Sequence, residues 1–445
     1  MMNTRTEKDF LGEKALPVDA PYGIHTARAM DNFPVAGSRV PAGLIFALAQ
    51  VKKACAAANR ELGLLDAAKA DAIIAACEEM EPLSVGNLLP ALQGGAGTST
   101  NMMVNELIAH AAGQGVHPIE DVNLHQSTND VYPTAVKVAA IYGLRSLAGR
   151  IEKLQGAFQQ LEKKFAHIPV IGKTELADAV PLTLGAEFGG FAEAFARDRW
   201  RTFKCEERLR VINLGGTAVG TGLTAPRSYI FLVTDKLREV TGLGLSRGEN
   251  LVDQTANADA FVEVSGIMKA CAANLLKICG DLRLLHMLGR IRLPAVQAGS
   301  SIMPGKVNPV VLESVMQVGI KVQANDFIVT ECASRGSLQI NEFMPLLSSA
   351  LLESMELLDD ACAMLAGHAE GISADEAECE RQFNSSVEII TAFLPAVGYE
   401  RATELVERFK ASGGSDFRNY LNEELGAALV DATLSPQNLM ALGHR

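Results

Sequence analysis

The 445-residue sequence lacks the features of several large protein classes. It has no uncharged apolar run of 18 residues or more, which is about the length that a membrane-spanning helix needs. The opening stretch MMNTRTEKDFLGEK holds no apolar core of the kind found in signal peptides. Acidic residues outnumber basic ones and give a net charge of −12, which argues against a nucleic-acid-binding face. We therefore expect no membrane and no nucleic-acid partner.

Cysteine and histidine patterns that mark disulfide frameworks or metal sites are missing as well. The eight cysteines are scattered without a CxxC pair, and the eight histidines show neither an HExxH motif nor another metal-site spacing. This usage argues against a disulfide framework and against a zinc site. We expect a reducing, cytoplasmic compartment, no metal and no cofactor.

Aromatic residues make up only 5% of the chain, whereas Ala, Leu, Val and Met are plentiful, which favours helices over a β-sandwich. Between about 258 and 287, apolar residues recur at alternating spacings of three and four residues, a pattern typical of helices packed lengthwise. This heptad seam consists of Phe261, Val264, Met268, Cys271, Leu275, Ile278, Leu282 and Leu285. It predicts one helix of about 30 residues.

Three further long helices are predicted, over about 133–165, from Asn308-Pro309 to about 326, and over about 346–365. The regions on either side of this long-helix segment have shorter elements. We therefore predict an all-α protein with three mainly helical domains and a long central bundle. The predicted domains are 1–130, 131–378 and 379–445.

Four polar segments, each placed just before a predicted helix, are the candidate binding elements. They are GGAGTSTN (94–101), HQSTND (125–130), GKTELADAVP (172–181) and GSSIMPGKVNP (299–309). Helix N-termini attract anions, and Lys306 adds a positive charge, so these segments suit a small molecule with carboxylates. The competing interpretation is that their Ser, Thr and Asn residues only cap helices. A fifth segment, GGTAVGTG (215–222), is a weak nucleotide-binding signal because it lacks a Walker lysine and a βαβ context.

The segment GSSIMPGKVNP is similar, letter for letter, to the signature loop of the aspartase/fumarase superfamily of lyases. QGGAGTSTNMMVNE, HQSTNDVYPTA, DAVPLTLGAEF, GSLQINEFMP and VGYERATEL resemble other regions of that family in the same order, over nearly the whole chain. QSTNDVYPT and SLQIN resemble its aspartase branch more than its fumarases.

The resemblance implies a homotetramer whose long helices form a twenty-helix core and whose active sites each draw on three subunits. It also implies reversible elimination of ammonia from L-aspartate to give fumarate. The difficult step would be removal of a proton from C3, which forms an aci-carboxylate that pre-positioned donors stabilise.

By the same resemblance, Ser300 is the catalytic base on a loop that closes over substrate, and the alternative is a loop serine that only makes a turn hydrogen bond. The remaining residues carried over from the family's motifs are polar groups with three roles. Thr98, Ser127, Thr128 and Ser301 would hold the carboxylate that gains charge, Lys306 and Asn308 the other carboxylate, and Asn129 and Thr174 would lie near the amine or the second carboxylate. Glu313 resembles an acidic partner of Lys306, and the alternative is a plain surface glutamate.

Glu175 departs from the family pattern, which has His or Gln after the threonine. A carboxylate there would repel a dicarboxylate unless a cation such as the substrate ammonium lies between them. This departure weighs against fumarase and leaves open a lyase for an N-substituted or modified aspartate. Glu175 pointing away from substrate is the other alternative. A non-enzymatic structural protein that reuses the fold is a further hypothesis, which the retention of Ser300, Lys306, Asn308 and Thr98 disfavours.

Overall fold

The structure is a computed structural model that describes residues 3–80, 88–113 and 115–443. Within these ranges the chain forms sixteen α-helices and four two-stranded sheets, which confirms the predicted all-α class. The helices are α1 (Ile24–Asn32), α2 (Ala42–Glu61), α3 (Ala67–Glu79), α4 (Thr98–Ala112), α5 (Thr128–Lys164), α6 (Leu184–Leu209), α7 (Arg227–Thr241), α8 (Leu251–Ala256), α9 (Asp259–Met287), α10 (Val310–Ala333), α11 (Met344–Glu370), α12 (Glu376–Ser385), α13 (Leu394–Ser412), α14 (Phe417–Leu425), α15 (Ala427–Thr433) and α16 (Pro436–Leu439).

The sheets are small and pair neighbouring or distant segments. The strands β1 (Thr4–Asp9) and β2 (Gly12–Pro17) form one antiparallel hairpin, and β3 (Pro169–Thr174) and β4 (Ala177–Thr183) form another. The strands β5 (Val211–Ile212) and β6 (Ser246–Arg247) pair in parallel, whereas β7 (Ile291–Arg292) and β8 (Ser373–Ala374) are antiparallel. A 3₁₀ helix covers Val387–Phe393.

The predicted long helices are all present. The helix α9 has the bounds that the heptad seam predicts, and α10 begins directly after Pro309. The helix α11 is longer at both ends than predicted. The helix α5 begins at Thr128 rather than Pro133, because a capping arrangement at Ser127 starts the helix earlier and Pro133 lies inside it.

The heptad seam is buried by the chain's own helices. Each of its eight side chains, from Phe261 to Leu285, is at most 7% exposed. The seam therefore needs no second subunit to cover it.

The segment 172–181 is a β-hairpin and not a loop before a helix as the sequence suggested. It contains the end of β3 and most of β4, where Thr174 pairs with Ala177 around a two-residue turn. β-branched and aliphatic residues on both strands favour this pairing. The following helix, α6, begins only at Leu184.

The chain divides into two compact units by its internal contacts. One comprises Met1–Ala148, Arg201–Ala270 and Lys321–Leu358, and the other comprises Gly149–Trp200, Cys271–Ile320 and Asp359–Arg445. The division into three domains at 130 and 378 stays a prediction. Across the described ranges, no helix is both long and apolar enough to span a bilayer.

Candidate active site

The turn before α4 places Thr98 at the helix N-terminus. Gly97 has a φ of 96°, and a Cβ on it would lie 2.4 Å from the ring of Tyr132, so only glycine fits there. The Thr98 hydroxyl donates to the carbonyl of Gly95 at 2.7 Å. Since Tyr132 belongs to α5, this close contact ties the Thr98 turn to the start of that helix.

The start of α5 is a capping box built from HQSTND. The Ser127 hydroxyl accepts from the Asn129 N–H at 3.2 Å, and the Asp130 carboxylate accepts from the Ser127 N–H at 2.9 Å. Thr128 is the first residue of the helix, and its hydroxyl accepts a hydrogen bond from the Asn101 side chain at 3.1 Å. The three consecutive polar residues are therefore held by a defined set of bonds rather than by a flexible loop.

Asp130 also organises the GGTAVGTG segment. Its second carboxylate oxygen accepts from the N–H groups of Gly215 and Thr217 at 3.1 and 3.0 Å. Burial raises the pKa of Asp130 to about 6, while its backbone hydrogen bonds oppose that rise. The segment is thus a structural clamp on the start of α5, which replaces the weak nucleotide-binding interpretation.

Asn129 is fixed by the same clamp. Its amide donates to the carbonyl of Ala218 at 2.7 Å, and its own carbonyl accepts from the Asn213 side chain at 2.9 Å. In a regular helix the N–H of residue 133 would bond to the Asn129 carbonyl, but Pro133 has no N–H. The Asn129 carbonyl can therefore accept from the Asn213 side chain. The Asn129 side-chain oxygen remains as an acceptor.

Several polar segments contain non-glycine residues in the left-handed region. They are Ala96, His125, Glu175, Leu176 and Thr217, with φ between 52° and 65°. Such conformations cost free energy and concentrate at functional sites, where surrounding packing maintains them. Their distribution over four of the five polar segments supports a functional interpretation of those segments.

The 299–309 loop, in the second unit, holds Ser300 with two backbone donors. The N–H groups of Ile302 and Met303 point at the Ser300 hydroxyl oxygen at 3.2 and 3.0 Å. The ends of the loop are joined, because the Gly299 N–H donates to the Lys306 carbonyl at 2.8 Å and the Asn308 amide donates to the Gly299 carbonyl at 2.8 Å. Residues 301–307 are exposed, so Ser301 and Lys306 face solvent in this chain.

The other predicted residues of the second unit lie at two places. Thr174 and Glu175 are exposed at the tip of the β3–β4 hairpin. Glu313, on the first turn of α10, forms an ion pair at 3.8 Å with Arg283. Its proposed partnership with Lys306 stays a prediction.

The structure brings the predicted residues together in groups. In the first unit, the Gly97–Tyr132 contact places the turn that carries Thr98 beside the first turns of α5, which carry Thr128 and Asn129. Ser300, Ser301, Lys306 and Asn308 share one loop of the second unit, whereas Thr174 and Glu175 share one hairpin tip of that unit.

Sequence reasoning missed the supporting residues Asp130, Asn213 and Asn101. The S-x-x-D spacing in HQSTND is a capping-box signal that could have identified Asp130. Asn101 closes the polar segment 94–101, but nothing in that segment shows that it contacts α5, and no local pattern marks Asn213.

A cavity of about 700 Å³ in the first unit contains none of the predicted site residues. It is lined by side chains of both signs, including Arg5, Glu7, His25 and Glu106. The described residues contain no group of three or more His, Cys, Asp or Glu that could hold a metal ion.

Comparison with known proteins identifies the family. A family model described as lyase matches residues 12–324. The chain is 42% identical to an aspartate ammonia-lyase of Pseudomonas canavaninivorans, covering 98% of this chain and 97% of that protein, and 40% identical to one of Escherichia coli K12, covering 98% and 96%.

Solved structures agree with this match. A fumarate lyase:delta crystallin from Brucella melitensis, bound to cobalt, has a TM-score of 0.93 at 41% identity and covers 99% of this chain and 100% of that one. A class II fumarase from Schistosoma mansoni has a TM-score of 0.91 at 28% identity, with both chains fully covered. The ordered motifs, the fold and these matches lead to one conclusion: the chain belongs to the aspartase/fumarase superfamily of lyases.

Proposed function

We propose that the chain is an aspartate ammonia-lyase, a carbon–nitrogen lyase that converts L-aspartate reversibly to fumarate and ammonia. Relatives bearing that name match nearly the whole chain at 40–42% identity. The structural observation that supports it best is the pair of N–H groups directed at the Ser300 oxygen.

The chemistry of Ser300 follows from those two donors. A serine hydroxyl is too weak an acid to serve as a base unaided, and hydrogen bonds to the alkoxide lower its pKa. The alkoxide would remove the proton from C3 of aspartate. The electron pair left behind passes first into the neighbouring carboxylate as an aci-carboxylate, then forms the C2–C3 double bond as the C–N bond breaks and ammonia leaves.

The other predicted residues would bind the two carboxylates. Among the described residues, the exposed Lys306 ammonium has no ion-pair partner, so a substrate carboxylate can pair with it. Ser127, Thr128 and Ser301 would donate to the carboxylate on which charge develops, where fixed donors stabilise the transition state most. Thr98 would join them once substrate draws its hydroxyl hydrogen away from the Gly95 carbonyl. Asn308 would join Lys306 on the other carboxylate.

We further infer a homotetramer with active sites shared between three subunits. The helix α10 exposes Ile320, Ala324 and Phe327 at helical spacing, and Ile320 and Phe327 are 60% and 65% exposed. Exposed apolar faces of this kind mark protein–protein contacts. A cytoplasmic location is proposed as well, since all eight cysteines are buried free thiols, as expected in a reducing compartment.

Glu175 favours the second candidate function, a lyase acting on an N-substituted or modified aspartate. Its carboxylate lies exposed at a hairpin tip, where it could meet an amine or a substituent on it. Fumarase is the less favoured alternative.

A substrate panel tests these functions directly. Fumarate released from L-aspartate, L-malate and several N-substituted aspartates would be followed by its ultraviolet absorbance. Fastest release from L-aspartate is the expected result. Release from a substituted aspartate alone, or from L-malate alone, would replace the proposal with the corresponding alternative.

A further inference from the structure

A lysine without a carboxylate hydrogen-bond partner is buried in the first unit. Lys52 lies on α2 and is fully buried, and its ammonium donates to the side-chain oxygens of Asn123 at 2.9 Å and Gln126 at 2.8 Å. Burial lowers the pKa of Lys52 to about 8, so the group is charged at neutral pH. Removing an ammonium from water is unfavourable, which calls for a role that an apolar residue could not fill.

The ammonium dictates how Asn123 is oriented. It has donors and no acceptor, so Asn123 must turn its oxygen toward Lys52 and its NH₂ away. That NH₂ donates to the carbonyl of Gln126 at 3.2 Å. The same oxygen also accepts from the side-chain amides of Asn101 and Asn105, at 3.2 and 3.1 Å.

The orientation of Asn101 follows from that of Asn123. Turning Asn101 over would place two amide oxygens against each other. The amide oxygens of Asn101 and Asn105 are buried without a hydrogen-bond partner, so the chain keeps these orientations even though they leave acceptors unused. Lys52 therefore fixes the orientation of Asn123 and, through it, the direction in which Asn101 donates.

The series of hydrogen bonds that begins at Lys52 ends at Thr128. The Asn101 NH₂ donates to the Thr128 hydroxyl oxygen at 3.1 Å. A hydroxyl that accepts from Asn101 directs its own hydrogen elsewhere, and no described residue accepts it. The Thr128 hydroxyl is thereby set as a donor, the form that a substrate carboxylate requires.

We infer that Lys52 is a positioning residue, which through Asn123 and Asn101 fixes Thr128 as a hydrogen-bond donor to the substrate carboxylate. The inference rests on the proposed function insofar as Thr128 binds that carboxylate. Lys52 itself touches no substrate.

The test is a double-mutant cycle between Lys52→Met and Thr128→Val, with succinate binding and fumarate release from L-aspartate as readouts. Lys52→Met should weaken succinate binding by about 10-fold, as should Thr128→Val. In the Thr128→Val background, Lys52→Met should weaken succinate binding further by less than about twofold, because the donor that Lys52 orients is already gone. Equal losses in both backgrounds would overturn the inference.

A neighbouring lysine provides the matched control. Lys53 lies one position on in the same helix and pairs with Glu78 at the surface. Lys53→Met should change succinate binding less than twofold. A loss as large as that of Lys52→Met would show a general charge effect and contradict the positioning role.

A second variant covers the case in which Lys52→Met does not fold. Asn101→Asp keeps the side-chain shape but offers an acceptor to Thr128, so the threonine hydrogen would turn inward. Its effect on succinate binding should also disappear in the Thr128→Val background. Additive losses would refute the relay, by which we mean the series of hydrogen bonds from Lys52 through Asn123 and Asn101 to Thr128.

The relay is also measurable without ligand. Melting temperatures across the Lys52→Met and Thr128→Val cycle, or the Asn101→Asp cycle, should be non-additive if the bonds are coupled, and additive values would overturn the relay. Wild-type protein that releases no fumarate from any substrate would overturn the proposed function instead. The coupling could still be measured from the melting temperatures.

Discussion

At the scale of single residues, Ser300 carries the sharpest chemical expectation. Its hydroxyl oxygen accepts two backbone N–H bonds that would stabilise an alkoxide. Ser300→Ala should lower turnover of L-aspartate by about 10²–10⁴-fold, since proton abstraction loses its base. Steady-state kinetics and circular dichroism together check this. A variant that folds normally and keeps near-normal turnover would remove Ser300 from the mechanism.

Glu175 gives a prediction that separates amine recognition from carboxylate recognition. If its carboxylate accepts a hydrogen bond from the substrate ammonium, Glu175→Gln should weaken elimination by about 10–100-fold, from a charged bond of about 1.5–3 kcal/mol. Binding of succinate, which has no amine, should stay equal or tighten because a repulsive charge is removed. Inhibition constants and kcat/KM for both proteins decide the matter. Equal losses for substrate and succinate would mean that Glu175 does not contact the amine.

Lys52 makes stability depend on pH in a predictable direction. Burial lowers its pKa from 10.5 to about 8 in the folded chain, so its stabilising contribution is complete above pH 10.5 and is lost as the pH falls through about 8. Between pH 8 and 10.5, wild type should gain up to about 3 kcal/mol of unfolding free energy relative to Lys52→Met, at about 1.4 kcal/mol per pKa unit. Urea unfolding across this range tests it, and a constant difference would contradict the shifted pKa.

At the scale of elements, the β3–β4 hairpin has an unusual turn. Glu175 and Leu176 have φ of 52° and 65°, the left-handed values of a two-residue hairpin turn that glycine and asparagine normally occupy. Leu176 is 75% exposed. Leu176→Gly should raise the free energy of unfolding by about 0.5–1 kcal/mol, because backbone strain outweighs the entropy of glycine.

Denaturant unfolding of wild type and Leu176→Gly measures this difference. A marked loss of stability would show that the leucine packs against something outside its own chain, and the strain argument would then fail.

At the scale of the whole molecule, assembly depends on the exposed face of α10. Replacing Ile320 and Phe327 together by glutamate should split the proposed tetramer, since four copies of each charge would enter an apolar contact. Light scattering should give about four times 47.4 kDa for wild type and a smaller mass for the double variant. Activity should fall with assembly, because the proposed sites are shared.

The matched control replaces an exposed aromatic residue outside the long helices. Tyr399, on α13, is 77% exposed, and Tyr399→Glu should leave the mass unchanged. Wild type that is monomeric and active would refute both the assembly and the shared sites.

The sequence determined the long helices and the chemistry-bearing loops of this protein, because both depend on local order. Periodic apolar residues specify a helix face wherever it packs, and a run such as GSSIMPGKVNP keeps its donors and its charge close together along the chain. The heptad seam predicted α9 correctly, although the sequence could not show that the same chain would bury it.

Only the tertiary structure decided how the polar residues are held. The hairpin at 172–181 was missed because its turn has neither glycine nor asparagine, and the pairing of β3 with β4 makes that turn possible. Lys52, Asn101, Asn123 and Thr128 lie up to 76 residues apart, and a side-chain amide has the same sequence letter whichever way it faces. Its direction is set by the partners that folding places around it, here a buried ammonium that can only donate.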